Sequence, residues 1–233
     1  MGNKAEAVVL LSGGMDSVVC ASLAARKHGA SATAALHIGY GQRTEAREQQ
    51  AFQAICDRLG IALRLTFRTP FFRAIGGSAL TDENVAVPEA GPEIGTEIPV
   101  TYVPFRNAHF LSAATSWAEV LGAHRIYIGA VQQDSSGYPD CRPEFYRAFN
   151  EAIRTGTKDG AIQIETPLIG LRKYEIVTLG LELGAPFDLT WSCYSRVDRA
   201  CGVCDSCVLR LRAFEGAGAS DPIPYLSPAP TAK

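Results

Sequence analysis

A parallel, doubly wound α/β sheet with a small cysteine-bearing segment at its C-terminal end is the fold that this sequence predicts. Three observations predict it. Short apolar runs rich in β-formers alternate with stretches of helical apolar spacing. The first of those runs breaks into Ser12-Gly13-Gly14, and a helical pattern follows at once. Four of the seven cysteines crowd between positions 193 and 207.

The elements follow in order. Ala7 to Leu11 (AVVLL) reads as a buried parallel strand. Val18, Val19, Leu23 and Ala24 recur at helical spacing up to His28-Gly29. Ala32 to Ile38 reads as a second strand. Phe52, Ile55, Cys56 and Leu59 mark an amphipathic helix that stops at Gly60. Ile61 to Phe67 is a third strand. From Gly76 to Thr101 the pattern dissolves into Gly, Pro, Glu and Thr, which predicts a long loop acting as a mobile lid. Pro104 then opens a helix carrying Phe110, Ala114, Trp117, Ala118 and Leu121. Arg125 to Ala130 is a further strand. Pro143 to Arg154 and Lys173 to Leu183 read as helices, the second closed by Gly184. The expected division is a nucleotide-binding body over 1–189, a metal-binding segment packed on it over 190–225, and a disordered tail over 226–233.

Composition narrows the function classes. Hydrophobic residues make up 47% of the 233 and charged residues 20%, so a large core is expected and long disorder is not. A net charge of -2 gives no electrostatic case for a nucleic-acid partner. No apolar run is long enough to span a membrane, and Met1 to Ala7 carries no signal-peptide pattern. Gly2 suggests lipidation, but Glu6 stands where Ser or Thr is wanted. The expected setting is the cytoplasm. Cys20 and Cys56 sit in apolar helical patterns and read as core residues.

Chemistry concentrates first in Ser12-Gly13-Gly14-Met15-Asp16-Ser17. A Gly-Gly turn between a buried strand and a helix points backbone amides at an anion, and the helix N-terminus adds free donors. Ser12 and Ser17 are expected to donate to phosphate oxygens. Asp16 would repel a phosphate, so its role is magnesium ligand or orienting acceptor. The Gly-Lys-Ser/Thr ending of a P-loop is absent, which disfavours a γ-phosphate cradle. The bland alternative is a turn with Asp16 as a helix cap.

The second concentration is Cys193, Cys201, Cys204 and Cys207. Two-residue gaps let neighbouring thiolates turn toward one ion. Four sulfurs satisfy tetrahedral zinc and leave no open position, so the site is expected to be structural. An iron–sulfur cluster also takes four cysteines. Unligated core thiols fit poorly with Arg199, Asp205 and Arg210 in the same stretch.

The string SGGMDS resembles the pyrophosphate loop of the N-type ATP pyrophosphatases, members of the PP-loop superfamily. Pro167-Leu168-Ile169-Gly170 followed by Lys173, Glu175 and Ile176 resembles a later helix of that superfamily. With Tyr40-Gly41-Gln42-Arg43, Val103-Pro104-Phe105-Arg106-Asn107, Ser136 to Arg142 (SGYPDCR), Thr190 to Tyr194 (TWSCY), CGVCDSC and DPIPY, the chain resembles the 7-cyano-7-deazaguanine synthase family over nearly its whole length. Gly39 departs from that pattern where an acidic residue is common, and Thr44 where His is common.

The resemblance implies a sheet of the adenine-nucleotide α-hydrolase type. It implies ATP with magnesium as co-substrate, one structural zinc per chain and a homodimer. The implied reaction adenylates a carboxylated deazaguanine, and then its amide, to turn carboxylate and ammonia into a nitrile on the way to queuosine-type nucleosides. Nucleotide contacts are expected from Leu11, Ser12, Gly13, Gly14, Met15, Asp16, Ser17 and Val18. His37, at the end of the second strand, is expected either to contact adenine or to be a satisfied strand-end histidine. Ser12, Asp16, Ser17 and Arg106 are the expected catalytic set. Arg106 either clamps a phosphate or carboxylate or faces solvent. Tyr138 is placed to stack on the base, and one of Asp134, Asp140 and Glu144 to accept from its paired donors, Asp140 first. The alternative for Asp140 is a cap on the helix opening at Pro143. Cys141 is a packing residue near the site. A tRNA-thiolating relative would need a redox cysteine pair and a basic RNA surface. A zinc-ribbon binding module would leave SGGMDS without a purpose.

Overall fold

The computed structural model describes residues 4–91, 98–132 and 137–226. Five strands form one parallel sheet: β1 (Ala7–Leu10), β2 (Thr33–Gly39), β3 (Leu63–Arg68), β4 (Arg125–Ile128) and β5 (Gln163–Glu165). Their order is β3-β2-β1-β4-β5. Register pairs Leu10 with Leu36 on one side and with Ile128 on the other. Every residue of β1 and β2 is buried, because helices cover both faces, and that is why they read as unbroken apolar runs.

The helices are α1 (Met15–His28), α2 (Glu45–Leu59), α3 (Phe71–Ile75), α4 (Arg106–Leu121), α5 (Pro143–Gly156), α6 (Lys173–Glu182) and α7 (Asp205–Gly216). Strand alternation divides the core between them. Val9 and Leu11 pack with α1, α2, α6 and α7 on one face, whereas Val8, Leu10, Leu36 and Ile38 pack with α4 and α5 on the other. The doubly wound architecture predicted from the sequence is the one observed. Chain order reverses between β1 and β4, so the crevice beyond their C-terminal ends is the expected ligand site.

Five details differ from the sequence reading. Helix α4 starts at Arg106 rather than Pro104, because Phe105 takes a left-handed conformation (φ 56°) that no helix continues. The short α3, the three-residue β5 and the whole of α7 were not anticipated. The described part of the predicted lid is anchored: Arg43 donates to the carbonyls of Ala79, Asp82 and Val85, and Ser78 to Thr81 are buried. Positions 92–97 of that loop and 227–233 of the predicted disordered tail lie outside the described residues.

The C-terminal segment shares the α1 face of the core. Trp191, Cys193, Cys204, Cys207 and Phe214 belong to the same buried cluster as Val18 and Leu11. Arg210, 1% exposed, fixes it in place. Its guanidinium grips Asp221 with Nε and Nη2 at 2.7 and 2.8 Å and donates to Thr190 at 2.7 Å. Tyr225 donates to the same carboxylate at 2.6 Å. A buried arginine paired this fully has its desolvation offset; an unpaired one would not.

Candidate active site

A cavity of about 280 Å³ opens at the reversal point between β1 and β4. Its walls include Ser12, Gly14, Met15, Asp16 and Ser17 from the turn between β1 and α1, and Leu36 and Ile38 from β2. Arg106 and Asn107 from α4, Tyr138, Cys141, Lys173 and Tyr194 complete it.

The turn leaves backbone donors that can receive an anion. Gly14 precedes α1 without any side-chain cap, so the first-turn amides keep their donors for a ligand. Ser17 Oγ donates to the Gly14 carbonyl at 2.9 Å, and Ser12 and Ser17 hydroxyls meet at 3.1 Å. Gly13 sits at φ +92°, and a Cβ there would lie 2.8 Å from the Glu48 carbonyl oxygen. Gly129, just past β4, lies so close to the turn that a Cβ would stand 2.9 Å from the Asp16 carbonyl carbon. The sequence reading singled out the first of these glycines and missed the second, whose need arises only from the β1–β4 pairing.

Asp16 has a partner that the sequence reading did not assign. Lys173 Nζ, at the start of α6, lies 2.6 Å from Asp16 Oδ2. The other oxygen, Oδ1, is buried without a hydrogen-bond partner in the described structure. An unsatisfied carboxylate oxygen on a residue lining the cavity fits a cation ligand. The sequence signal for Lys173 was present in the PLIG-x2-K segment.

Arg106 faces the cavity, not solvent. Its Nη1 donates to Tyr40 Oη at 2.9 Å and its guanidinium lies over the Tyr40 ring at 5.0 Å. Burial works to lower its pKa, and the surrounding Tyr40, Tyr138 and Asp140 more than offset that. Tyr138 lines the cavity, its hydroxyl 3.2 Å from Thr101 Oγ1. Cys141 lines it too, with burial first among the causes that push its thiol up to about 11, so it stays protonated at neutral pH.

Other expected contacts fall elsewhere. His37 is 1% exposed and does not reach the cavity. Its neighbours Leu36 and Ile38 face the cavity, so the alternation of the strand turns His37 to the opposite face, beside Phe52. Val18 is wholly buried one turn into α1. Asp140 is 4% exposed and accepts from the backbone N–H of Asn107 at 2.9 Å. It therefore caps α4, across the fold, rather than the nearby α5. Glu144 is exposed and lines no part of the cavity, and Asp134 lies outside the described residues. Among the described lining residues the acids are Asp16 and Glu48. Glu48, missed from sequence, is oriented by Thr44 Oγ1 at 2.7 Å and Gln42 Nε2 at 2.9 Å.

The family departure at Gly39 has a local answer. A Cβ at Gly39 would stand 2.7 Å from Glu45 Cδ. Glu45 fills that space with its own carboxylate, which accepts from the Gly41 N–H at 2.9 Å and pairs with Arg68.

The sulfurs of Cys193, Cys201, Cys204 and Cys207 all lie within 4.8 Å of one another. Cys201 and Cys207 sulfurs are 3.8 Å apart, and a tetrahedron with metal–sulfur bonds of about 2.3 Å has edges of about 3.8 Å. Backbone N–H groups of Cys201 and Cys204 point at the sulfurs of Cys193 and Cys201, each at 3.4 Å, as donors to thiolates do. The donor set fits a metal ion. Cys204 stands at the N-cap of α7 and Cys207 in its first turn, where the helix dipole favours negative sulfur.

Comparison with known proteins adds a family to this geometry. The family model described as "Queuosine biosynthesis protein QueC" matches residues 6–218. A 7-cyano-7-deazaguanine synthase of Koribacter versatilis is 75% identical over 224 residues, covering 96% of this chain and 94% of the relative. One of Acidobacterium capsulatum is 66% identical over 222 residues, covering 94% and 96%. Among solved structures, NMN synthetase from Francisella tularensis is 22% identical with a TM-score of 0.45, over 79% of this chain and 64% of that one. The family match over residues 6–218 and the 75% and 66% identical relatives show that the chain belongs to the QueC family.

Proposed function

We propose that the protein is a 7-cyano-7-deazaguanine synthase that spends ATP as an adenylating agent. The observation that carries the proposal is the anion-receiving turn at the head of β1, facing a cavity that also holds Arg106 and Lys173. Relatives of that name, 66% and 75% identical, support it.

A carboxylate is a poor acyl donor, and adenylation makes it a good one. The carboxylate oxygen of the deazaguanine attacks the α-phosphorus of ATP, and pyrophosphate leaves. Ammonia then adds to the acyl carbon, AMP leaves and a proton is lost, giving the amide. A second ATP adenylates the amide oxygen in the same way. Loss of AMP and of both protons from the nitrogen completes the nitrile.

The turn amides with Ser12 and Ser17 hold the departing pyrophosphate, and Arg106 faces the reacting carboxylate and α-phosphate. Asp16 holds the Lys173 ammonium in place at the phosphates. Asp16 Oδ1 would hold magnesium, which when bound neutralises the polyphosphate. Tyr138 provides a stacking face for the base. The ion at the four cysteines is zinc in this reading, because a cubane cluster interposes iron and sulfide and needs its thiolates farther apart. The working unit is a cytoplasmic homodimer acting on small molecules. No described helix is long and apolar enough to cross a membrane, and the net charge of -2 makes no electrostatic case for nucleic acid.

Incubation with 7-carboxy-7-deazaguanine, ammonium and ATP, followed by mass spectrometry, tests the reading. The nitrile with AMP and pyrophosphate is expected. ADP and inorganic phosphate, or an unchanged base, would contradict it.

A further inference from the structure

The turn between β1 and α1 carries its ligand-facing donors because its carbonyls are held on the other side. In a trans peptide the C=O of one residue and the N–H of the next point in opposite directions. Tying a carbonyl back therefore aims the following amide forward. Two carbonyls of the turn are tied by groups from outside it. The Gly13 carbonyl accepts from the Trp191 N–H at 2.8 Å. The Leu11 carbonyl accepts from His37 Nδ1 at 3.1 Å.

His37 is placed for that contact alone. A carbonyl only accepts, so Nδ1 carries the proton. Its ring packs on Phe52 at 5.2 Å between centroids, and Nε2 is buried without a partner among the described residues. Burial is the leading cause that lowers its pKa, which keeps the ring neutral and the tautomer fixed. Leu36 and Ile38, flanking it on β2, face the cavity. The Leu11 carbonyl thus points to the Phe52 side of the sheet, and the Ser12 N–H points to the cavity side.

We infer that His37 is a positioning residue for the phosphate-binding turn: its Nδ1–H holds the Leu11 carbonyl and thereby directs the Ser12 amide at the anion. This rests on the proposed role of that turn. It replaces an adenine contact with a contact made from behind.

Two substitutions separate donation from packing. His37→Asn keeps an N–H donor at the same number of bonds from the backbone as Nδ1. His37→Leu keeps apolar bulk against Phe52 and removes the donor. The measurement is calorimetric binding of pyrophosphate with magnesium to the metal-loaded protein, alongside steady-state kinetics. His37→Leu is expected to weaken pyrophosphate about tenfold, the worth of one directed hydrogen bond, and to lower kcat with the KM for the deazaguanine unchanged. His37→Asn is expected to recover most of both. A packing role predicts the reverse order, with Leu tolerated and Asn poor. That order, or wild-type affinity in His37→Leu, overturns the inference while leaving the turn's role standing. Failure of the wild type to bind pyrophosphate overturns the role of the turn, and the inference with it.

Discussion

Asp140 holds Asn107, the second residue of α4, through a buried carboxylate, and Arg106 beside it faces the cavity. The capping role sets its expected behaviour. Asp140→Ala should cost about 1 kcal/mol of stability as a lost N-cap, whereas Asp140→Asn, itself a good cap, should cost little. Neither should change the KM for the deazaguanine by more than the misplacement of Arg106 requires. Burial leads the causes that raise the Asp140 pKa above 3.8, against the Asn107 N–H and Arg106, which lower it. The sign follows: its contribution to stability is complete below the unfolded value and is lost as pH rises through the raised folded value. Urea titrations across that window should show the wild type losing stability relative to Asp140→Asn. Parallel curves would remove the burial account. Single residues were the hardest scale to read from sequence. That Ser12, Gly14, Met15, Asp16 and Ser17 line one cavity was legible because the turn they form is local. Asp140 was expected to accept from the base or to cap α5, and its link to Asn107 was not legible, since α4 reaches it only through the fold. Lys173 lies 2.6 Å from Asp16, so Asp16→Ala removes a mostly buried ion pair as well as the oxygen proposed to hold magnesium.

The C-terminal element joins the two motifs that the sequence shows apart. Trp191 stands two residues before Cys193 and donates its N–H to Gly13 of the turn. Metal binding at a small cysteine site contributes about 10–16 kcal/mol in peptides, comparable with the stability of a whole domain. Cys204→Ser should therefore lose the ion, become protease-sensitive between Trp191 and Phe214, and bind pyrophosphate more weakly although no residue of the turn has changed. Metal analysis, limited proteolysis and calorimetry on the same sample check this. A metal-free protein with wild-type stability and pyrophosphate affinity would separate the two sites. The spacing of the cysteines made the cluster legible. Helix α7 was missed because Cys204, Asp205 and Cys207 hide its start, and its buried face of Cys207, Arg210, Ala213 and Phe214 has at its middle an arginine that apolar periodicity ignores. Strand β5 was missed because three residues carry too little pattern to read.

At the scale of the molecule, the alternation of strands and helices predicted the layers but not the order of the strands. The β3-β2-β1-β4-β5 order is what brings α4, α6 and the cysteine segment around one turn. It places Arg106, Lys173 and Asp16 in one cavity from positions far apart in the chain. The central claim is attack on the α-phosphorus by oxygen from the substrate, and the fate of that oxygen tests it most directly. With the carboxylate of 7-carboxy-7-deazaguanine labelled with heavy oxygen, both labelled atoms are predicted to leave in AMP, none in pyrophosphate. Label in inorganic phosphate or water, with unlabelled AMP, would contradict the account.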